Sequence, residues 1–347
     1  MTNPSCVSRR RFCSASLTLV PGLLVGGCGL TPAMSAMSES APAYRWEHVK
    51  NESLTLLSPS GIVWRFNFSP NIPMPHFHPL QTVDSRCLTW NQPEWHPHHY
   101  GLWFSWLLID GVDYWHFDSK TGRPAGTTQI VKAVVHRYDA KGARISLNLA
   151  YHPADETNLI VMEDTVDLWI EVPRDDGSYR IAWDRVSRPR RRVVLDRVPP
   201  PGQPNGDPEG GYGGLSFHGQ RFLTNVAIVE STGKANLAGH RQHADWAVLT
   251  GKVNDLPIGV AMFDHPSNPR YPTPWFLKML PPDNPSMPGQ PFWYMGAALL
   301  NDAPLEITPE HPLSLRYLVR VDSDAQPIHV IEDEFRWFSS SQRSSAL

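Results

Sequence analysis

Apolar side chains recur at every second position in run after run of this chain. Ile62, Trp64, Phe66 and Phe68 alternate with polar partners, as do Ile145, Leu147, Leu149 and Tyr151, and Val166, Leu168, Ile170 and Val172. The pattern returns at Ile258, Val260 and Met262, and over Leu313, Leu315, Tyr317, Val319 and Val321. A period of two puts one face of a strand on a core and the other toward solvent, the mark of antiparallel sheet. Turn formers punctuate the runs at Ser58-Pro59-Ser60-Gly61, Asp175-Asp176-Gly177-Ser178 and Asn254-Asp255. Proline, 34 of 347 residues, interrupts long helices, and no stretch shows a sustained helical period. The expectation is all-β: one large antiparallel β-sandwich over residues 44–335, although length alone, at about 150 residues per domain, allows two domains. Residues 336–347 read as a disordered tail. The stretch 185–210, with Arg188-Pro189-Arg190-Arg191-Arg192 and Pro199-Pro200-Pro201, reads as an insertion whose arginines are solvated or hold an anion.

The first 27 residues read as an export signal. Arg9-Arg10-Arg11-Phe12 precedes a short apolar stretch ending at Gly26-Gly27-Cys28. Paired arginines point to the twin-arginine type. Val25-Gly26-Gly27-Cys28 resembles a lipobox, which makes Cys28 the lipidation site and residues 28–43 a flexible tether. A plain signal cut near Ala33 or Ala36 is the alternative. Either way the chain is expected in the periplasm, free or as a membrane-anchored lipoprotein, touching membrane only through that anchor. The apolar stretch is shorter than the ~20 residues of a permanent span. With 31 basic and 34 acidic residues, no basic stripe marks a nucleic-acid partner. Cys87 is the one cysteine of the body and reads as an inert thiol, without a disulfide or cysteine metal cluster.

Chemistry concentrates in a histidine-rich stretch: Pro75-His76-Phe77-His78-Pro79, then Glu94-Trp95-His96-Pro97-His98-His99-Tyr100-Gly101-Leu102-Trp103, closing on Asp110-Gly111-Val112-Asp113-Tyr114-Trp115. Imidazole titrates near neutrality, which suits acid/base work and metal binding. In extended chain His76 and His78 share a face, as do His96 and His98, whereas His98 and His99 diverge, so one of the latter pair is expected in packing or a turn. His76, His78, His96 and His98 are the candidates for a divalent metal; spacing alone chooses no metal. A second group, Asp264-His265-Pro266-Ser267-Asn268-Pro269-Arg270 with Trp275, follows a strand and suits an oriented imidazole with a guanidinium clamp, or else a structural turn. Glu209-Gly210-Gly211-Tyr212-Gly213-Gly214 lacks the features of a P-loop and reads first as a flexible turn.

Together, His78-Pro79, Pro97-His98-His99, Gly101-Leu102-Trp103, Gly111-Val112-Asp113-Tyr114-Trp115, Gly211-Tyr212-Gly213-Gly214 and Phe263-Asp264-His265-Pro266 through Arg270 resemble the DUF6807 family, over roughly residues 50–325. That family also carries the label methane oxygenase PmoA, which a body without membrane spans does not fit. The resemblance implies a galactose mutarotase-like supersandwich and a sugar-handling context. The chain departs from the family pattern at Trp95, where an acid is usual and which shifts any acid role to Glu94, and at Tyr100, where a basic residue is usual.

These readings converge on a carbohydrate-active enzyme using histidine acid/base chemistry on a sugar or glycoside, of epimerase, lyase or hydrolase type. His99 and His265 are the expected acid/base groups, with Asp264 orienting. His78, His98, Trp103, Trp115, Asp184, Tyr212, Asn268, Arg270 and Trp275 are expected to bind a small-molecule or oligosaccharide ligand. A non-catalytic sugar-binding lipoprotein is the alternative, and a metal-dependent oxidoreductase the third reading. The sugar and the bond acted on are not legible in the sequence.

Overall fold

The hairpins follow from the turn chemistry. Asn254 and Asp255 both take positive φ, 51° and 64°, the geometry of a tight two-residue hairpin, and they join two strands of the larger core. A computed structural model describes residues 44–285 and 288–341. The signal, Cys28 and the tether therefore lie outside the described residues.

Strands run in chain order as β1 (Arg45–Val49), β2 (Ser53–Ser58), β3 (Gly61–Asn67), β4 (His76–Leu80), β5 (Leu102–Ser105), β6 (Leu108–Ile109) and β7 (Val112–Asp113). Then come β8 (Gly126–Asp139), β9 (Gly142–Pro153), β10 (Met162–Glu171), β11 (Tyr179–Pro189), β12 (Val193–Asp196), β13 (Gly214–Gly219) and β14 (Thr224–Glu230). The last are β15 (Gln242–His243), β16 (Trp246–Val253), β17 (Leu256–Asp264), β18 (Pro274–Leu280), β19 (Phe292–Ala297), β20 (Leu305–Ile307) and β21 (Leu313–Asp322), followed by helix α1 (Ile328–Ser340).

They build a nine-stranded sheet in the order β1-β2-β3-β4-β5-β13-β19-β18-β15 and an eight-stranded sheet in the order β14-β16-β17-β21-β11-β10-β9-β8. A small sheet, β20-β12-β6-β7, flanks them. The strand pairings among the described residues are antiparallel, as the alternation predicts. The alternating residues of β3, β9, β10, β17 and β21 meet in one core between the two large sheets. Each large apolar side chain so buried contributes about 1.5–3 kcal/mol.

The faces turned away from that core are covered differently. On the eight-stranded sheet, Ala182, Ala261, Phe263 and Leu318 lie under Ile331 and Phe338 of α1. The disordered tail expected from residue 336 is corrected here: 336–340 complete this helix, while 342–347 lie outside the described residues. The helix escaped the periodicity reading because Glu334 occupies its buried stripe, where it bonds Arg320 at 2.7 Å. The supposed insertion is also part of the fold, since residues 185–189 finish β11 and Val193–Asp196 form β12. Its exposed Arg190 and Arg191 pair with Glu163 and Asp110, each at 2.7 Å, and Arg192 pairs with Glu306.

On the nine-stranded sheet, register lays Phe276, Gly296, Ser216, Trp103 and His76 in one row across β18, β19, β13, β5 and β4. The next row is Lys278, Tyr294 and His218. The residues between them, Leu277, Met295, Phe217, Leu102 and Phe77, point into the intersheet core. Trp103, Tyr294 and Phe276 thus face outward, into a second apolar cluster with Tyr100, Trp115 and Phe292. That outer face carries the histidines.

Candidate active site

Residues 93–99 run as two successive turns rather than as a strand: His96 N–H donates to Pro93 O at 2.9 Å, and His99 N–H to His96 O at 3.0 Å. Turning brings His96, His98 and His99 together, with ring centroids 4.8–5.6 Å apart. The expected divergence of His98 and His99 is corrected accordingly. Gly101 ends the segment at φ 77°, and a Cβ there would stand 2.7 Å from Phe77 O, so only glycine lets the turn lie against β4.

His99 is almost fully buried, and its Nδ1 lies 3.0 Å from Nδ1 of His218, contributed by β13. Two facing imidazole nitrogens hold one proton between them, so each ring's tautomer fixes the other's. Burial first, then neighbouring imidazoles, push His99 well below the ordinary range and His218 down to about 3. His96 falls to about 4 and His98 to about 3 for the same leading reason. The cluster is therefore neutral at neutral pH.

A second relay faces it. Asp113 Oδ2 accepts from His116 Nδ1 at 2.7 Å, while Asp113 Oδ1 accepts the backbone N–H groups of Trp115 and His116 at 2.7 and 2.8 Å. Burial raises the Asp113 pKa, but these bonds outweigh it and hold the carboxyl below its usual range. His116 Nε2 in turn bonds the Tyr212 hydroxyl. Tyr212 is set by its glycines: Gly214 opens β13 at φ 113°, where a Cβ would meet Ala297 O at 2.4 Å. Burial pushes the Tyr212 phenol up, so it keeps its proton.

Both relays end on a cavity of about 180 Å3 lined by Trp95, His96, His98, His99, His116, Glu209, Tyr212, Phe276, Lys278, Phe292 and Tyr294. Glu209 and Lys278 pair at its edge, 2.6 Å apart. His98 also lines a neighbouring hollow of about 270 Å3, whose wall includes Trp103 and Trp115.

Of the residues singled out from sequence, His96, His98, His99, Trp103, Trp115 and Tyr212 meet at these two hollows. The other metal, catalytic and binding candidates do not. His78 lines neither hollow, and its Nδ1 bonds Thr89 Oγ1 at 3.0 Å. His76 Nδ1 bonds Met74 O at 2.8 Å. His76, His78, His96 and His98 thus form no ligand set, and among the described residues no three His, Cys, Asp or Glu side chains converge to hold a metal ion. Glu94 is exposed and outside the cavity wall. Cys87 bonds Thr89 O at 3.5 Å.

The Asp264 group belongs to the eight-stranded sheet. Asp264 accepts Asn268 Nδ2 at 2.6 Å and Thr273 N–H at 2.9 Å, and burial raises it to about 7. His265 packs on Phe338 and bonds Arg316, and Arg316 also pairs with Asp184 at 3.5 Å. Arg270 bonds the carbonyls of Ala303 and Pro304, and so fastens a loop. Trp275 is fully buried between the sheets, its Nε1 on Ala244 O at 2.8 Å. Asp264, His265, Asp184, Asn268, Arg270 and Trp275 are therefore structural. His116 and His218 were missed: each stands alone in sequence, and strand pairing and loop folding bring them to the site.

A family model matches residues 54–336, from β2 into α1. The chain belongs to the DUF6807 family, a family of unknown function. No curated protein matches this DUF6807 member. Solved structures similar to it include Slr1438 from Synechocystis sp. PCC 6803, at 9% identity and TM-score 0.35, covering 82% of this chain and 97% of that one. A galactose mutarotase related enzyme from Lactobacillus acidophilus is 7% identical with TM-score 0.28, over 82% and 98% of the two chains. A protein from Salmonella typhimurium with a provisional mutarotase assignment is 11% identical with TM-score 0.37, over 81% and 94%. Likeness at this level bears on neither site nor activity; the fold class rests on the sheets themselves.

Proposed function

We propose that this DUF6807 member is a carbohydrate-active enzyme that moves protons on a sugar by histidine and tyrosine acid/base chemistry. The observation that carries the reading is that two separate hydrogen-bonded relays, His218–His99 and Asp113–His116–Tyr212, end on one aromatic-walled cavity. When His99 donates from Nδ1 to His218, its Nε2 is a bare lone pair and acts as base. That base removes a proton from a sugar carbon next to a carbonyl. Tyr212 holds its proton and supplies it on return; its phenolate then takes a proton from solvent while His99 Nε2 releases the one it took, so that the site returns to its starting state. Returning the proton to the other face of the carbon gives epimerisation; expulsion of a substituent one carbon away, protonated as it leaves, gives β-elimination. Phe276, Phe292 and Tyr294 supply flat faces for a sugar ring. Glu209 is the one carboxylate in the cavity wall, whereas a retaining glycosidase uses two, about 5–5.5 Å apart. Epimerase or lyase chemistry is therefore favoured over hydrolysis.

The test is solvent exchange. Aldoses, ketoses and their keto-glycosides are incubated with the protein in deuterium oxide and followed by proton NMR. Wild type is expected to exchange or eliminate, and His99→Ala and Tyr212→Phe to lose that activity while remaining folded. Full activity of His99→Ala overturns the mechanism, and binding without exchange by wild type converts the reading to a sugar-binding protein. The proposal includes export with a lipid on Cys28, supported by the leader pattern; Cys28→Ala is expected to move the protein from the membrane to the soluble fraction.

A further inference from the structure

Lys278 is the one lysine or arginine among the residues that line the histidine cavity. It stands on β18, and register places it in a row with Tyr294 of β19 and His218 of β13. Two strand spacings, about 9–10 Å, therefore separate its backbone from that of the histidine that holds His99. Its Nζ lies 5.1 Å from the Phe292 ring centroid, and the His99 ring lies 5.7 Å from the same centroid. A cation carried by a strand and the proposed base are thus neighbours of one phenyl ring. The imidazoles around them are neutral, so the ammonium is not one charge among many.

The partner of this lysine is a loosely held side chain on a fastened backbone. Glu209 bonds Nζ at 2.6 Å, yet its side chain is 58% exposed, against 19% for Lys278. The loop beneath is tied down. Glu209 N–H donates to Asp207 Oδ1 at 2.7 Å and Gly210 N–H to Asp207 O at 2.9 Å, while Arg241 donates to Pro208 O at 2.9 Å and to Gly210 O at 2.5 Å. Rotation of the Glu209 side chain alone therefore frees the ammonium, with the loop unmoved. An ion pair with one partner this open to water is weak, so a ligand carboxylate can compete for it. Both charges reach the imidazoles: after burial, Lys278 is the next influence holding His96 down, and Glu209 opposes it.

We propose that the substrate is an acidic sugar, a uronate, whose carboxylate takes the place of Glu209 on Lys278. Glu209 then stands in for the ligand's carboxylate while the cavity is empty. The assignment also supplies what proton removal beside a carboxylate needs. His99 Nε2 takes the proton from the carbon that bears the carboxylate, and the electron pair of the broken C–H bond passes into that group as a dianionic enediolate. The ammonium offsets the added charge where it develops. Protonation of the same carbon from its other face by Tyr212 inverts it. Expulsion of the substituent one carbon away, with the Tyr212 proton, leaves a double bond conjugated with the carboxylate. The inference rests on the reading of the cavity as a sugar site and names the class of sugar.

Matched sets separate the two claims: glucose, glucuronate and glucuronamide, and galactose, galacturonate and galacturonamide, each titrated into the protein by calorimetry. At least one uronate is expected to bind about tenfold or more tightly than both its neutral sugar and its amide, the worth of one charge-assisted hydrogen bond. Glu209→Gln, which removes the competing carboxylate, is expected to raise that ratio by about three- to tenfold. The double variant Lys278→Met/Glu209→Gln, which leaves the wall without either charge, is expected to bring the ratio close to one; its melting curve shows whether it is folded. A uronate that binds wild type no more tightly than its neutral sugar, or a ratio that Glu209→Gln leaves unmoved, or one that a folded double variant retains, overturns the carboxylate site and leaves the sugar reading standing. Failure of all six compounds to bind wild type overturns the sugar reading, and the carboxylate site falls with it.

Discussion

Removing the His218 ring separates the electrostatics of the site from its chemistry. His218 is fully buried against Phe292 and Trp90, with Nδ1 on His99 and Nε2 unpartnered. In His218→Leu, His99 Nδ1 loses its partner at a cost of about 1–3 kcal/mol. The unpaired Nε2 disappears at the same time, a gain of similar size, so stability at pH 7 changes by only about 1 kcal/mol. Acid separates the two proteins. Unfolded histidine titrates near 6.5, whereas folded His218 is held down to about 3 by burial and by neighbouring imidazoles. A base depressed by folding contributes nothing adverse above pH 6.5, and its stabilisation is lost as pH falls, because the unfolded chain takes up the proton first. At pH 5 that loss is about 2 kcal/mol, from roughly 1.5 pH units at 1.36 kcal/mol each. The figure is insensitive to the folded value, since pH 5 lies well above it. Asp264 and the other histidines titrate in both proteins and cancel in the difference. Urea unfolding at pH 7 and pH 5 is expected to show wild type losing about 2 kcal/mol more than His218→Leu, and the variant should be inactive. Equal losses would refute the claim that His218 is held neutral.

Other expectations follow from the same geometry. Tyr212→Phe should reduce turnover by about 10²- to 10⁴-fold in an exchange assay while its melting temperature shifts little, because it removes one proton carrier and one hydrogen bond. Asp264→Asn, far from the cavity, should keep turnover and lose about 1–3 kcal/mol by denaturant titration, since one of the two donors it accepts is left unpaired; a large fall in turnover with little loss of stability would restore Asp264 to the mechanism. Gly101→Ala should cost more than about 2 kcal/mol or abolish soluble expression, because φ 77° and the 2.7 Å approach to Phe77 O both exclude a Cβ.

The architecture was legible wherever side chains alternate cleanly. Val166, Leu168 and Ile170 lie in the core as their spacing predicts, as do Leu315, Tyr317 and Val319. The same rule applied to β18 separates Trp275 and Leu277, inward, from Phe276 and Lys278, outward, and corrects the Trp275 assignment. What alternation does not report is which outer faces are brought together. His218 reaches His99 only because β13 pairs with β5, more than a hundred residues away in sequence. The Asp264 group looked catalytic because buried, fully bonded polar side chains are the same residue types that sites use. Their bonding saturates one another and leaves no free valence toward a ligand.

The central claim is that His99 and His218 form one neutral, proton-sharing pair at the cavity. Nitrogen-15 NMR of the imidazoles reads it directly. The account predicts that neither ring titrates between pH 7 and pH 5 and that a single proton lies between the two Nδ1 atoms. A midpoint near 6.5 for either ring, or two independent Nδ1 signals with no shared proton, would contradict it.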